Sequence, residues 1–178
     1  MVKSKIFAVG DPYQSIYGFQ GALGPDVMSI LRRCGCSEFH LHRNYRSCET
    51  IVNLLNKMYA RGLVSSGIKD TSTTAILCRR NDQLFEVDKY LKSRGVPHRV
   101  RLSARFGDSR EYDVLGSSNL VLMTIHSSKG HEFDRVVIYD WYPSHPGEEY
   151  RVLYVGVARA SKSYSWAGNF QELLKEIS

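Results

Sequence analysis

Four short stretches of this chain carry side chains suited to anions, bases or sugars. They are GDPYQSIYGFQGA at 10–22, NYRS at 44–47, TIHSSKGHEFD at 124–134 and YVGVARA at 154–160. The first sets glutamines and three aromatics on a glycine-punctuated backbone that follows neither the helical nor the strand period. Glycine permits conformations closed to other residues, so such a loop brings its backbone close to a ligand. The second and fourth carry arginines, whose planar, permanently charged fork grips two phosphate oxygens at once. A hydrophobic core would ask for none of these groups, and the chemistry they suggest is the handling of phosphates and nucleobases.

Other chemistries find less support in the sequence. Cys34 and Cys36 precede His40 and His42 in a C-x-C-x3-H-x-H spacing, which departs from the C-x2–4-C knuckle of structural zinc sites. Strand-like alternation in EFHLH puts both histidines on one face and Phe39 with Leu41 on the other, so no metal site is expected. With Cys48 and Cys78, the four cysteines are too few and too irregular for a disulfide framework, which agrees with a reducing compartment. No Ser/His/Asp or paired-carboxylate constellation is apparent.

Composition bounds the remaining classes. A chain of 178 residues, 43% of them hydrophobic, is long enough for one α/β domain. Its 24 Lys and Arg against 18 Asp and Glu give a net charge of +6. That fits an anionic partner such as nucleic acid or nucleotide, and equally a soluble protein that happens to be basic. The apolar run in MVKSKIFAVG is too short for a signal peptide, and no stretch approaches the roughly 18 apolar residues of a membrane span. An intracellular, cytoplasmic protein without a membrane partner is expected.

Strands alternating with helices must position the four stretches. KIFAV at 5–9, EFHLH at 38–42, TAILCR at 74–79, HRVRL at 98–102, NLVLMT at 119–124, RVVIYD at 135–140 and SYSWAG at 163–168 read as strands. Helices are expected over 25–33, opened by proline, from a Ser47 cap to about Tyr59, and from Asn81 or Asp82 to a stop at Gly95. Two more are expected over 148–160 and 170–177. Residues 61–73 read as a polar link and 103–118 as a loop. This alternation implies an α/β, doubly wound, mainly parallel sheet with flanking helices, in which ligands gather beyond the carboxyl ends of the strands.

In order and in wording, VGDPYQSIYGFQGA, NYRS, TIHSSKGHEFD and LYVGVARA resemble motifs III, IV, V and VI of the UvrD/Rep/PcrA group of superfamily 1 DNA helicases. Any one motif is weak evidence; four in order are specific. The resemblance runs from residue 5 to about 166. It implies that residues 1–24 are the last strand and motif III loop of a first RecA-like domain otherwise missing here. Residues 25–178 then form the second RecA-like domain.

Carried over position by position, the resemblance assigns roles. Gln14 matches the glutamine that senses the γ-phosphate and orients the attacking water, and Arg159 matches the arginine finger, so these two are the candidate catalytic residues. Tyr45 matches the residue that stacks on adenine, Arg46 the one that reaches the γ-phosphate, and Glu132 the carboxylate that holds the ribose hydroxyls; Gly130 joins them as nucleotide-binding. Tyr17, Phe19, Thr124, His126 and Lys129 fall where the family contacts single-stranded DNA or relays between DNA and nucleotide. Aromatic stacking, worth about 1–3 kcal/mol per base, tolerates any sequence. Packing is an equal reading for Tyr17.

The chain departs from the family at Gln20, His131 and Ala158, where arginine, leucine and threonine are usual. It has no G-x-x-x-x-G-K-[ST] loop to cradle phosphates and no DE pair before motif III to hold Mg²⁺. Only about 80 residues separate NYRS from the KGHEF run, which leaves no room for the family's accessory domain. ATP and Mg²⁺ are therefore cofactors expected of a complete enzyme, with a phosphate-loop-bearing first domain or chain and single-stranded DNA as partners. The chain by itself is expected to have no appreciable ATPase. A non-enzymatic module that binds single-stranded DNA or a protein is the competing reading.

Overall fold

Along the central strands successive apolar side chains enter two different cores, because both faces of the sheet are covered. The computed structural model describes residues 7–67, 72–102, 110–116, 118–143 and 147–178, without the side chains of Phe19 and Pro25. In chain order the elements are α1 (Val27–Arg33), β1 (Arg43–Asn44), α2 (Glu49–Met58), β2 (Val64–Ser65), β3 (Thr74–Cys78), α3 (Asn81–Ser93) and β4 (His98–Leu102). They continue with β5 (Arg110–Val114), β6 (Leu120–Thr124), β7 (Phe133–Tyr139), α4 (Glu148–Val157), β8 (Ala160–Ala167) and α5 (Phe170–Ile177).

The main sheet has the order β5-β4-β6-β3-β7-β8. Its neighbours run parallel except β5, which pairs antiparallel with β4. Ala75 and Leu77 of β3, Val121 and Met123 of β6, and Val136 and Ile138 of β7 pack against α2 and α4 on one face. Ile76, Cys78, Leu122, Val137 and Tyr139 point to the other, where α3 supplies Leu84, Val87 and Leu91 and α5 supplies Leu173. Strands buried on both sides read as continuous apolar runs, which is why TAILC, LVLMT and VVIY contain almost no charge. The α/β, mainly parallel and doubly wound arrangement is the one expected of a RecA-like domain.

Local signals account for several boundaries. Gly95, at φ +67°, ends α3 in the left-handed conformation that glycine adopts without a Cβ clash. The Asn169 side chain caps α5 by accepting from the backbone N–H groups of Gln171 and Glu172. A buried contact of 2.9 Å between His98 Nε2 and Asp88 Oδ1 ties β4 to α3.

The expected elements fail where tertiary pairing is missing or unanticipated. Of the strand expected at 5–9, residues 5 and 6 lie outside the described residues, and Phe7 to Val9 have no strand partner and are exposed. EFHLH is not a strand either: Phe39 and Leu41 are exposed, and only Arg43 and Asn44 pair, with Val64 and Ser65 of the expected polar link. Conversely, β5 lies within the expected loop, held by its ladder to β4. Ser47 does not cap α2; its hydroxyl donates to the Ala160 carbonyl at 2.8 Å, and Cys48 occupies the cap position with its thiol turned to the Lys162 carbonyl instead of to the helix. Among the described residues no helix is long and apolar enough to cross a membrane, and no group of three metal-ligating side chains gathers.

Candidate nucleotide and nucleic-acid site

The NYRS stretch is a turn pinned to the start of β8. Asn44 Oδ1 accepts from the N–H groups of Arg46 (2.8 Å) and Ser47 (2.9 Å), closing an Asx turn. The Ser47 hydroxyl and the Cys48 N–H then donate to the carbonyls of Ala160 and Ser161. Arg46 is thereby aimed across the domain: its Nε donates to Glu132 Oε1 at 2.7 Å and its Nη1 to the Ala158 carbonyl at 3.2 Å. Tyr45, the preceding residue, stays exposed at 67%.

Arg159 follows the last turn of α4 and is 2% exposed. Its Nε donates to the Val155 carbonyl, its Nη1 to the His131 carbonyl, and its Nη2 to Gln14 Oε1 at 3.1 Å. Burial, and then the nearby Arg46 charge, pull its pKa down to about 10, so the group remains a cation at neutral pH. Arg46, Glu132 and Arg159 thus bring two positive charges and one negative together, an arrangement that favours an added anion. Gln14 belongs to a short 3₁₀ turn, Pro12–Gln14, capped by the Asp11 side chain. The Gln14 amide nitrogen donates to Asp11 Oδ2 at 2.9 Å, so its oxygen is presented to Arg159.

The same loop reaches the turn that follows β6. Lys129 Nζ donates to the Gln14 carbonyl at 3.0 Å and lies 5.2 Å from the Tyr17 ring centre. The Tyr17 hydroxyl donates to the His126 carbonyl at 3.1 Å, and His126 Nε2 lies 3.2 Å from the Ile16 carbonyl. Burial, the larger cause, and the Arg79 charge lower the His126 pKa, so the ring stays neutral and Nε2–H is the donor. Tyr17 is part-buried and packs against the α2 and α4 face of the core. Thr124 is buried, and its hydroxyl is engaged with Ser127 at 2.7 Å as an internal turn contact. Gly130 sits at φ +90° with open space around it, so the turn itself calls for glycine there. The Phe19 side chain lies outside the described residues.

Two groups emerge, at different ends of the sheet. Glu132 and Arg159 immediately precede β7 and β8, at the amino ends of those strands, whereas the 125–130 turn follows the carboxyl end of β6. The expected gathering beyond the carboxyl ends describes only the second group. Arg159 hangs from the end of α4, and the short return from α4 into β8 leaves it at the opposite end.

Sequence reading missed the residues that hold the loop in place. Arg61 Nη1 donates to Asp11 Oδ2 at 2.7 Å, Arg151 Nε to the Ser15 carbonyl at 3.1 Å, and Glu148 Oε1 accepts from the Gly18 N–H at 3.0 Å. A Cβ on Gly18 would lie 2.9 Å from that carboxylate, so a larger residue there would push the Glu148 side chain aside. None of these contacts has a signal in local spacing, because each joins residues at least 50 positions apart.

Comparison with known proteins agrees with the motifs. Residues 119–164 match the family model described as UvrD-like helicase C-terminal domain. The chain is 25% identical over 198 residues to a Mycoplasma pneumoniae protein named as a probable DNA helicase, covering 88% of this chain and 37% of that protein. It is 24% identical over 156 residues to DNA helicase II of Haemophilus influenzae, covering 66% of this chain and 22% of that protein. The chain thus spans about a third or less of the length of these relatives. A solved C-terminal domain of a possible DNA helicase from Lactobacillus plantarum WCFS1 is similar over 76% of this chain and 94% of its own, with 18% identity and a TM-score of 0.46.

Proposed function

We propose that this chain, similar to UvrD-like helicase C-terminal domains, is the second motor domain of an ATP-dependent DNA helicase or translocase. The observation that carries this reading is the double attachment of one loop. Gln14 and Tyr17, three residues apart, bond to Arg159 in one group and to the turn holding His126 and Lys129 in the other.

A triphosphate held between this domain and a phosphate-loop-bearing first domain would meet Arg46 and Arg159, with Tyr45 available to stack on the base. Phosphate oxygens would compete with Glu132 for the Arg46 guanidinium, releasing the Glu132 carboxylate to accept from ribose hydroxyls. Gln14 would then exchange Arg159 for the attacking water, and Arg159 would neutralise charge on the transferring phosphoryl group. Because the Gln14 carbonyl and the Tyr17 hydroxyl are tied to the 126–129 turn, that exchange would move residues placed to contact single-stranded DNA. Mg²⁺, when bound, neutralises the β- and γ-phosphates.

The test is reconstitution with a first RecA-like domain carrying a phosphate loop. Single-stranded DNA should stimulate ATP hydrolysis by the pair, while the chain alone should show no appreciable turnover. Salt-sensitive DNA binding that no ATP analogue changes, with or without that domain, would favour a non-enzymatic binding module instead.

A further inference from the structure

We infer that Arg61, in the polar link outside all four motif stretches, is a positioning residue that sets the orientation of Gln14. The inference rests on the reading of Gln14 as the phosphate sensor. Arg61 Nη1 donates to Asp11 Oδ2 at 2.7 Å and to the Tyr154 hydroxyl. Its guanidinium also faces two aromatic rings, 5.0 Å from the centre of Tyr13 and 5.7 Å from that of Tyr154. Charge, fork and stacking fix it at once, which a lysine ammonium could not reproduce.

Asp11 Oδ2 is the shared atom. It accepts from Arg61 and, at 2.9 Å, from Gln14 Nε2. Asp11 Oδ1 accepts from the Tyr13 N–H at 3.1 Å. A polar chain therefore runs Arg61, Asp11, Gln14, Arg159, each link a hydrogen bond of 2.7 to 3.1 Å. Arg61 and Arg159 both make their contacts to α4 or its end, Arg61 through Tyr154 and Arg159 through the Val155 carbonyl. The sensor amide is thus clamped between two guanidiniums anchored on one helix. Without Arg61 the part-buried Asp11 carboxylate would lose its charged partner and turn toward water. The Gln14 amide would lose its acceptor, and with it the orientation that presents Oε1 to Arg159.

The test is made on the 178-residue chain by nitrogen-15 NMR, following the Gln14 side-chain NH₂ and the Arg159 Nε–H. In Arg61→Gln the Gln14 amide should exchange with water at least about tenfold faster, and the Arg159 signal should shift, while the amides of β3 and β6 stay protected. Asp11→Asn should produce the same pair of changes, and Arg61→Lys an intermediate one. Tyr154→Phe keeps the bond from Arg61 to Asp11 and should leave Gln14 unmoved. A Gln14 amide with wild-type exchange in Arg61→Gln would overturn the inference. So would a Tyr154→Phe change as large as that of Arg61→Lys, since Arg61 would then be only a support for α4; this comparison stands even where Arg61→Gln does not fold. Reconstituted ATP hydrolysis is a separate readout: its absence would overturn the proposed function and leave the Gln14 result in place.

Discussion

Two arginines meet at the candidate phosphate site, and burial separates their roles. Arg46 is part-exposed and shares Glu132, whereas Arg159 is 2% exposed and spends its donors on two carbonyls and Gln14. A buried cation with a prearranged fork suits charge that develops only in a transition state. Arg159→Ala should therefore lower turnover of the reconstituted motor by about 10³-fold or more, read as kcat at saturating ATP. His126 supplies a pH test. Its folded pKa lies below the ordinary 6.5, mainly through burial, and His131 is lowered by burial as well. Between the lowered values and 6.5 the unfolded chain binds more protons, so stability rises with pH through that window and is lost as pH falls through it. The urea midpoint should drop between pH 7.5 and pH 5.5, and His126→Gln should shrink that drop; an unchanged difference would count against the buried, neutral ring.

At the scale of elements, α4 positions the site through close packing on β7. A Cβ added at Gly156 would stand 2.9 Å from Ile138 Cδ1 and 3.7 Å from two Ile125 methyl carbons, all buried. The glycine in YVGVARA thus lets the helix approach the sheet, and with it brings Tyr154 and Arg159 to the loop. Gly156→Val should destabilise the domain by about 1–3 kcal/mol through overpacking, measured by urea unfolding. Helix propensity alone would predict the opposite sign, because glycine is the weaker helix former. The sequence showed α4 as an apolar helix with the arginine at its end. It gave no sign of which neighbour required the glycine, because that neighbour lies on a different element.

Across the whole molecule, residues 11–18 share the core of the domain that follows them. Ile16 is fully buried among Leu55, Ile125, Val155 and other residues of the α2 and α4 face. Arg151, Glu148, Arg61, Lys129 and Arg159 each bond the same loop. Ile16→Ala should cost about 2–5 kcal/mol in this chain, read by urea unfolding. A neutral result would mean that the loop does not rest on this domain.

What the amino-acid sequence determined by itself was whatever local pattern encodes. Continuous apolar runs gave β3, β6 and β7, an opening proline and the Gly95 stop marked helix ends, and four ordered motifs gave the helicase resemblance. Local pattern failed for residues 7–9, a short apolar run, and for 38–42, which alternate like a strand, because a strand exists only where another edge completes its hydrogen bonds. It failed in reverse for β5, a charged segment made a strand by its antiparallel neighbour. Tertiary structure alone decided that Arg159 meets Gln14 across 145 positions and that Arg61, from an unremarked link, reaches Asp11. Long-range contacts depend on the register of the sheet and the approach of α4, and no short stretch of sequence carries either.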